Sequence, residues 1–200
     1  MKTLCVIPAR SGSKRLPGKA ILPFAGTTLL EITCRQANRI FEDVVFTSDS
    51  ISYLEMASDY GVRYLRERPA ELATDDAATP DVIEDALEWM EEIKGVKYDN
   101  VVLLQVTSPL RSDEDIKGAM GDYKGNELVS INKVKFPVEA NINGEAAQKN
   151  GAIYIYPVSP KSNNWFWTTY EMAAERSIDI DTEFEFQVAE FIYAKLQHLL

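Results

Sequence analysis

Four cations crowd one stretch near the amino terminus, Arg10-Ser11-Gly12-Ser13-Lys14-Arg15-Leu16-Pro17-Gly18-Lys19, in which glycine, serine and proline break any periodicity. Backbone N–H groups of such a loop can wrap phosphate oxygens, while arginine forks and lysine ammonium groups neutralise them. The spacing is not that of a P-loop, because five residues separate Gly12 from Gly18 and Ala20 follows Lys19 where Ser or Thr is required. No Gly-x-Gly-x-x-Gly follows a strand, so the dinucleotide fingerprint is missing as well. A solvated basic loop is the other reading of these residues.

Asp179-Ile180-Asp181 offers a second kind of chemistry. In an extended segment, carboxylates at i and i+2 point to one side, as the oxygen ligands of a hard divalent cation must. Acidic pairs ahead of a helix also serve as caps, and Asp181 or Thr182 can do that here. Gln105-Val106-Thr107-Ser108-Pro109-Leu110-Arg111 places an amide, hydroxyls and a guanidinium where an apolar strand ends, which suits a polyhydroxylated ligand and equally suits ordinary turn chemistry. His198 is the sole histidine and reads as a solvated helix-end residue, which argues against Ser-His-Asp and Cys-His hydrolases. Cys5 and Cys34 have no Cys-x-x-Cys spacing and read as buried structural thiols.

These residues need a scaffold, and 200 residues suit one domain spanning 1–200. Hydrophobic residues at 46% and charged ones at 26% place the chain with folded globular proteins and not with disordered ones. With 21 basic and 31 acidic residues the net charge is −10, which opposes non-specific binding to nucleic acid or to an anionic membrane. The cationic loop is thus a local exception. No apolar run approaches the ~20 residues that span a bilayer, and the first apolar run is too short for a signal peptide, so a cytoplasmic protein is expected.

The elements alternate. Leu4 to Ala9 is a strand leading into the cationic loop, and Thr28 caps a helix with Leu29, Leu30, Ile32, Thr33, Ala37 and Ile40 at helical spacing. Asp43–Thr47 reads as strand, Ser50–Tyr60 as a helix closed by Gly61, and Val62–Leu65 as strand. A helix from Thr79 and Pro80 to about Glu92 carries Val82, Ile83, Ala86, Leu87, Met90 and Ile93 as one stripe. Val101–Leu104 has the continuous apolar character of a central parallel strand. Ser112 with Asp115 marks a helix start, and Leu128–Ile131 and Ala152–Tyr156 are strands. Asn143-Gly144 signals a hairpin turn. A helical segment is expected after Trp165-Phe166-Trp167 to about Arg176, then a last helix from about Thr182 with Phe184, Val188, Phe191, Ile192 and Leu196 on one face. Such alternation predicts an α/β fold, largely parallel with right-handed crossovers. Ligands then bind beyond the carboxyl ends of the strands, where Arg10–Lys19, Gln105–Arg111 and the loop near Asp49 should converge.

Along nearly the whole chain these segments resemble the acylneuraminate cytidylyltransferases, or CMP-sialic acid synthetases. The matching stretches are Ile7 to Lys19, Arg68-Pro69-Ala70-Glu71-Leu72, Leu104 to Arg111, Asn150-Gly151-Ala152-Ile153-Tyr154 and Asp179-Ile180-Asp181-Thr182. The first also looks like the related Kdo cytidylyltransferases, whereas Thr107-Ser108-Pro109-Leu110-Arg111 and Asp-Ile-Asp-Thr favour the sialic acid branch.

The resemblance implies a three-layer α/β/α nucleotidyltransferase, Rossmann-like and glycosyltransferase-A-like, with a mostly parallel mixed sheet. It implies transfer of CMP from CTP to the anomeric hydroxyl of a sialic-type 2-keto acid sugar, with release of pyrophosphate. Arg10, Lys14 and Lys19 would act on the CTP phosphates, cradled with Ser11 and Gly12, and Arg68 and Thr79 would lie near the nucleotide. Gln105, Thr107, Ser108 and Gln148 would serve the sugar substrate, and Asp179 and Asp181 would hold Mg²⁺. CTP and an acidic sugar are the implied partners, with neither nucleic acid nor membrane. Ala20 stands where the family usually has Asn, and Gln148 where an Arg commonly precedes the Asn-Gly-Ala-Ile-Tyr segment. The family's dimerisation lobe is shortened here to about 133–150, which leaves a homodimer and the sugar's identity open. CMP transfer to Kdo or another acidic sugar, and a non-catalytic nucleotide-sugar sensor, are the alternatives.

Overall fold

The computed structural model describes residues 1–74, 76–133, 140–142, 145–158 and 168–197. β1 (Thr3–Pro8) is apolar because both faces of the sheet are covered where it runs, and Leu4, Cys5, Val6 and Ile7 have no exposure. β2 (Asp43–Ser48) and β4 (Asn100–Leu103) flank it and are buried throughout. β3 (Tyr64–Glu67) lies outside β2, and its start falls later than the Val62 expected from the apolar run. On the other side, β5 (Leu128–Lys133), β6 (Ala140–Ile142), β7 (Glu145–Pro157) and β8 (Thr168–Glu171) complete the sheet. The strand order is β3-β2-β1-β4-β7-β5-β8, with β6 paired to β7. The β1, β2, β3 and β4 pairings are parallel, as is β5 with β8, and β7 runs antiparallel to β4, β5 and β6.

Side-chain caps start the first, second and fourth helices, whereas the third starts without one. Thr28 Oγ1 accepts the Glu31 N–H at the start of α1 (Leu29–Ile40), and Ser50 Oγ accepts the Tyr53 N–H at the start of α2 (Ile51–Asp59). α3 (Thr79–Lys94) has Pro80 in its first turn and ends on Gly95 at a φ of +63°. Ser112 and Asp115 form a reciprocal capping box at α4 (Asp113–Asp122). α5 (Glu183–Gln197) closes the described chain. Side chains of α1, α2, α4 and α5 share one large core on one face of the sheet, whereas Ile83, Ala86 and Met90 of α3 pack with Leu4, Val6, Val45 and Leu103 on the other. The result is the expected three-layer α/β/α arrangement.

Three expectations need correction. The helix expected up to about Arg176 is absent: Thr168–Glu171 is strand, paired in parallel with β5, and only the short 3-10 turn Ala174–Arg176 follows. Thr168, Thr169 and Tyr170 are β-branched or aromatic and suit a strand beside β5, and the helix formers Met172 to Arg176 that follow are left with too short a run for an α-helix. On α5 the inward residues are Phe186 and Ala189, while Phe184 and Phe191 of the expected face are exposed, at 74% and 65%. On α3, Ile93 lies half exposed beyond the stripe's buried part. The Asn143-Gly144 turn and His198 lie outside the described residues, although Ile142 and Glu145 on either side of the former pair antiparallel.

Candidate active site

The sheet reverses its strand order at β1, since β2 lies on one side of it and β4 on the other. A crevice opens there at the strands' carboxyl ends, where α/β sheets bind ligands. The cationic loop leaves β1 at this point. Ser11 donates from its N–H and from its hydroxyl to the two carboxylate oxygens of Asp49, both at 2.8 Å. Leu16 and Ala20 are buried in the core and anchor the loop's far end. Gly18, at a φ of +69°, turns the chain into the 3-10 turn Lys19–Ile21. Between these anchors Ser11, Gly12, Lys14 and Arg15 are exposed, so the loop presents its donors outward from fixed ends. Ala20, at 4% exposure, packs among apolar side chains, where an amide would need partners of its own.

A cavity of about 260 Å³ occupies the crevice, with Arg10, Arg68, Thr79 and Gln105 among its polar walls and Leu72 and Val82 among its apolar ones. A few convergent polar groups against apolar walls are what a small-molecule site requires. Arg68 is buried, and its guanidinium donates to the Thr47 carbonyl at 2.9 Å and to the Thr47 hydroxyl at 3.5 Å. Burial holds Arg68 below the ordinary arginine range, with Asp49 opposing that shift and Arg10 reinforcing it. Asp49 is held below the usual carboxylate range: burial pushes it up, but the Ser11 hydrogen bonds and the charge of Arg68 outweigh that.

The acidic segment meets the loop at the opposite end. Lys19 Nζ donates to Asp181 Oδ1 at 2.9 Å and to the Ile180 carbonyl at 2.5 Å, and Arg15 reaches Asp181 Oδ2 at 2.9 Å. Thr182 and Glu185 cap α5 between them, with Glu185 accepting the N–H groups of Asp181 and Thr182, so the Asp181 carboxylate is spared that duty. The Ile180 N–H bonds the Thr107 carbonyl at 2.9 Å, which seats the segment against the end of β4. Asp179 is largely buried, and its Oδ1 has no hydrogen-bond partner. Burial pushes its carboxyl up; the Thr107 hydroxyl and Lys19 pull it down, and Asp181 adds to the rise. Gly151 adjoins this point at a φ of +71°, where a Cβ would stand 2.9 Å from Asp179 Oδ2 and 3.0 Å from Gln105 Oε1.

A buried carboxylate oxygen without a partner beside a second carboxylate is a donor set that fits Mg²⁺, which takes one or two carboxylates and fills its octahedron with water and phosphate oxygens. Among the described residues no group of three or more His, Cys, Asp or Glu could hold a metal. The set therefore suits a cation shared with a phosphate and not an all-protein cage.

The other expected residues are placed as follows. Ser108 is fully buried, with its hydroxyl unpartnered, below the crevice and not on its surface. Arg111 is buried without a carboxylate partner: it bonds Gln36, the Gln105 carbonyl at 3.3 Å and the Ala152 carbonyl at 2.6 Å, and burial pushes it down to about 10, still charged at neutral pH. It fastens the end of β4 to β7 and α1. Gln148 lies on β7 opposite Asn132, upstream of Gly151, and is not among the cavity's walls. Cys5 and Cys34 are free, buried thiols. Leu72, Thr74, Ala77 and Val82 line the cavity without having been foreseen, since nothing in an apolar or small residue marks it as a wall.

A family model described as cytidylyltransferase matches residues 4–153, and the chain belongs to that family. It is 33% identical over 161 residues to a pseudaminic acid cytidylyltransferase of Campylobacter jejuni, covering 78% of this chain and 68% of that one. It is 33% identical over 220 residues to an N-acylneuraminate cytidylyltransferase of Streptococcus agalactiae, covering 93% of this chain and 52% of that one, so the chain spans about half that relative's length. It is 38% identical over 140 residues to a CMP-N,N'-diacetyllegionaminic acid synthase of Legionella pneumophila, covering 67% and 59%. Among solved structures, CMP:2-keto-3-deoxy-manno-octonic acid synthetase complexed with CTP superposes with a TM-score of 0.73 over 98% of this chain and 100% of that one, at 18% identity. At that identity the likeness establishes the fold.

Proposed function

We propose that this chain transfers CMP from CTP to the anomeric hydroxyl of a sialic-type 2-keto acid sugar and releases pyrophosphate. The observation that carries the reading is a cavity walled by Arg10, Arg68 and Gln105, with Gln105 and Asp179 both beside Gly151 and Lys19 paired to Asp181. A triphosphate fits between those cations, and the relatives' printed activities supply the acceptor class. Arg10, Lys14 and Lys19 neutralise the phosphates and Gly12 lends an exposed backbone N–H, whereas the Ser11 N–H expected beside it is held by Asp49 and anchors the loop. The sugar seats by Gln105 and Thr107 at the end of β4. Its anomeric hydroxyl then attacks the α-phosphorus in line and releases its proton to water as the bond from that phosphorus to the bridging oxygen of the leaving pyrophosphate breaks. Positioning and charge neutralisation supply most of the acceleration in such transfers. Mg²⁺, held by Asp179, Asp181 and the triphosphate, would neutralise charge on the phosphates and the leaving pyrophosphate.

No helix among the described residues is long and apolar enough to cross a membrane. The test is pyrophosphate release with CTP and Mg²⁺ as N-acetylneuraminate, legionaminate, pseudaminate and Kdo are supplied in turn. Release with one of the first three is expected. Release with Kdo alone would reassign the acceptor, and CTP binding without turnover on any of the four would favour a nucleotide-sugar sensor.

A further inference from the structure

The carboxyl end of β2 does more than continue the sheet. The Thr47 carbonyl accepts two donors at once, the Ala9 N–H at 3.0 Å from the exit of β1 and the Arg68 guanidinium at 2.9 Å from beyond β3. The Arg68 N–H bonds the next carbonyl, that of Ser48, at 2.8 Å. Asp49 then takes both donors of Ser11 at 2.8 Å each. Three consecutive residues, Thr47, Ser48 and Asp49, thus hold the chain on both sides of the cavity that Arg10 and Arg68 line together. Two guanidinium groups facing one cavity repel each other, and a fixed carboxylate beside them offsets that repulsion.

We propose that Asp49 is a positioning residue for the nucleotide: its carboxylate locks the phosphate loop through Ser11 and fixes the spacing of Arg10 against Arg68 before a triphosphate arrives. The puzzle it resolves is why an anion-binding crevice keeps a carboxylate at its edge. Both Asp49 oxygens are engaged by Ser11, so the group shapes the loop while its charge offsets the repulsion between the arginines. Donors held in place before binding are not ordered at the ligand's expense, which is where the affinity comes from.

The inference rests on the CTP-binding half of the proposed function and not on the acceptor sugar, so its test uses CTP alone. Calorimetry with CTP should show Asp49→Ala weakened about tenfold or more, with Asp49→Asn between it and the parent because one amide oxygen accepts where two carboxylate oxygens did. Ser11→Ala placed on Asp49→Ala should add less than about twofold, since both changes break one latch. Exchange of the Ser11 amide should quicken in Asp49→Ala without CTP present. In turnover, KM for CTP should rise while KM for the sugar holds. Equal CTP affinity in parent and Asp49→Ala overturns the inference, as does a matched rise in both KM values together with a lowered melting temperature, which would mark a merely structural carboxylate. If Asp49→Ala does not fold, Asp49→Asn carries the same measurements. A parent that binds CTP but uses no acidic sugar would sink the proposed reaction and leave the latch standing. A parent that does not bind CTP would overturn both.

Discussion

Lys19 has two sets of partners to choose between. In this structure its ammonium lies on Asp181 and the Ile180 carbonyl, and the side chain is 13% exposed, so it enters the crevice already desolvated and aimed. A triphosphate in the crevice competes for that ammonium, and hydrogen bonds to charged groups contribute about 1.5–3 kcal/mol. Lys19→Ala is therefore expected to raise KM for CTP about 10- to 100-fold, as steady-state rates against CTP would show; an unchanged KM would remove Lys19 from the phosphate site. Gly151 gives a second expectation. Alanine there must adopt a φ near +71° and push its Cβ against Asp179 and Gln105. Strain of that kind costs about 1–2 kcal/mol, whereas displacement of two site residues should cut turnover by about tenfold or more. Melting and rate measurements on Gly151→Ala separate the two effects. At this scale the sequence was legible where residue type implies chemistry: Arg10, Arg68, Thr79 and Gln105 line one cavity, and Lys19 pairs with Asp181. It was not legible where chemistry depends on burial. Ser108 and Arg111 look like surface donors in a polar turn, yet both lie beneath the crevice, and only packing decides that.

Among the elements, α4 and the turn after β8 are joined by one ion pair. Arg176 donates Nε to Asp115 Oδ2 at 2.8 Å and Nη2 to Oδ1 at 3.0 Å, a two-pronged contact to a carboxylate that is 2% exposed and also caps α4. Burial pushes the Asp115 carboxyl up, but the bonds from Arg176 and Ser112 more than reverse it and hold it below the usual range. A carboxyl depressed on folding contributes stability above its unfolded pKa of about 3.9, and that contribution is lost as pH falls through the lower folded value. Arg176→Ala should thus cost about 2–3 kcal/mol near neutral pH, and the gap from the parent should close below about pH 4. Urea unfolding at several pH values checks both the size and the sign. The capping boxes of α4 and α5 could be read from Ser112-x-x-Asp115 and Thr182-x-x-Glu185 because a cap is a local hydrogen-bond problem. β8 could not, since Thr168–Glu171 is strand only because β5 lies ready to pair with it. The outward Phe184 and Phe191 mislead for a related reason: an apolar residue on a helix marks a core face only when the fold sets something against it.

For the molecule as a whole, a net charge of −10 coexists with a crevice built for an anion. Acidic groups elsewhere lower the concentration of anions near the protein, so the proposed CTP binding rests on the few cations at the carboxyl ends of β1 and β3 and on the loop that follows β1. Arg68 comes from a separate part of the chain from the loop that carries Arg10, and the folded sheet makes the two neighbours. CTP should consequently bind the native state and not the unfolded chain, and ligand at about 100 times its Kd stabilises by about 2.7 kcal/mol. For a chain of this length that corresponds to a rise in melting temperature of about 5–10 °C. The same rise should shrink to about 1–6 °C in Lys19→Ala at the CTP concentration used for the parent, because a Kd raised about 10- to 100-fold leaves that concentration only about 1 to 10 times its value. Calorimetric melts with and without CTP would show it. A parent whose melting point ignores CTP would mean that the crevice, for all its cations, does not hold the triphosphate.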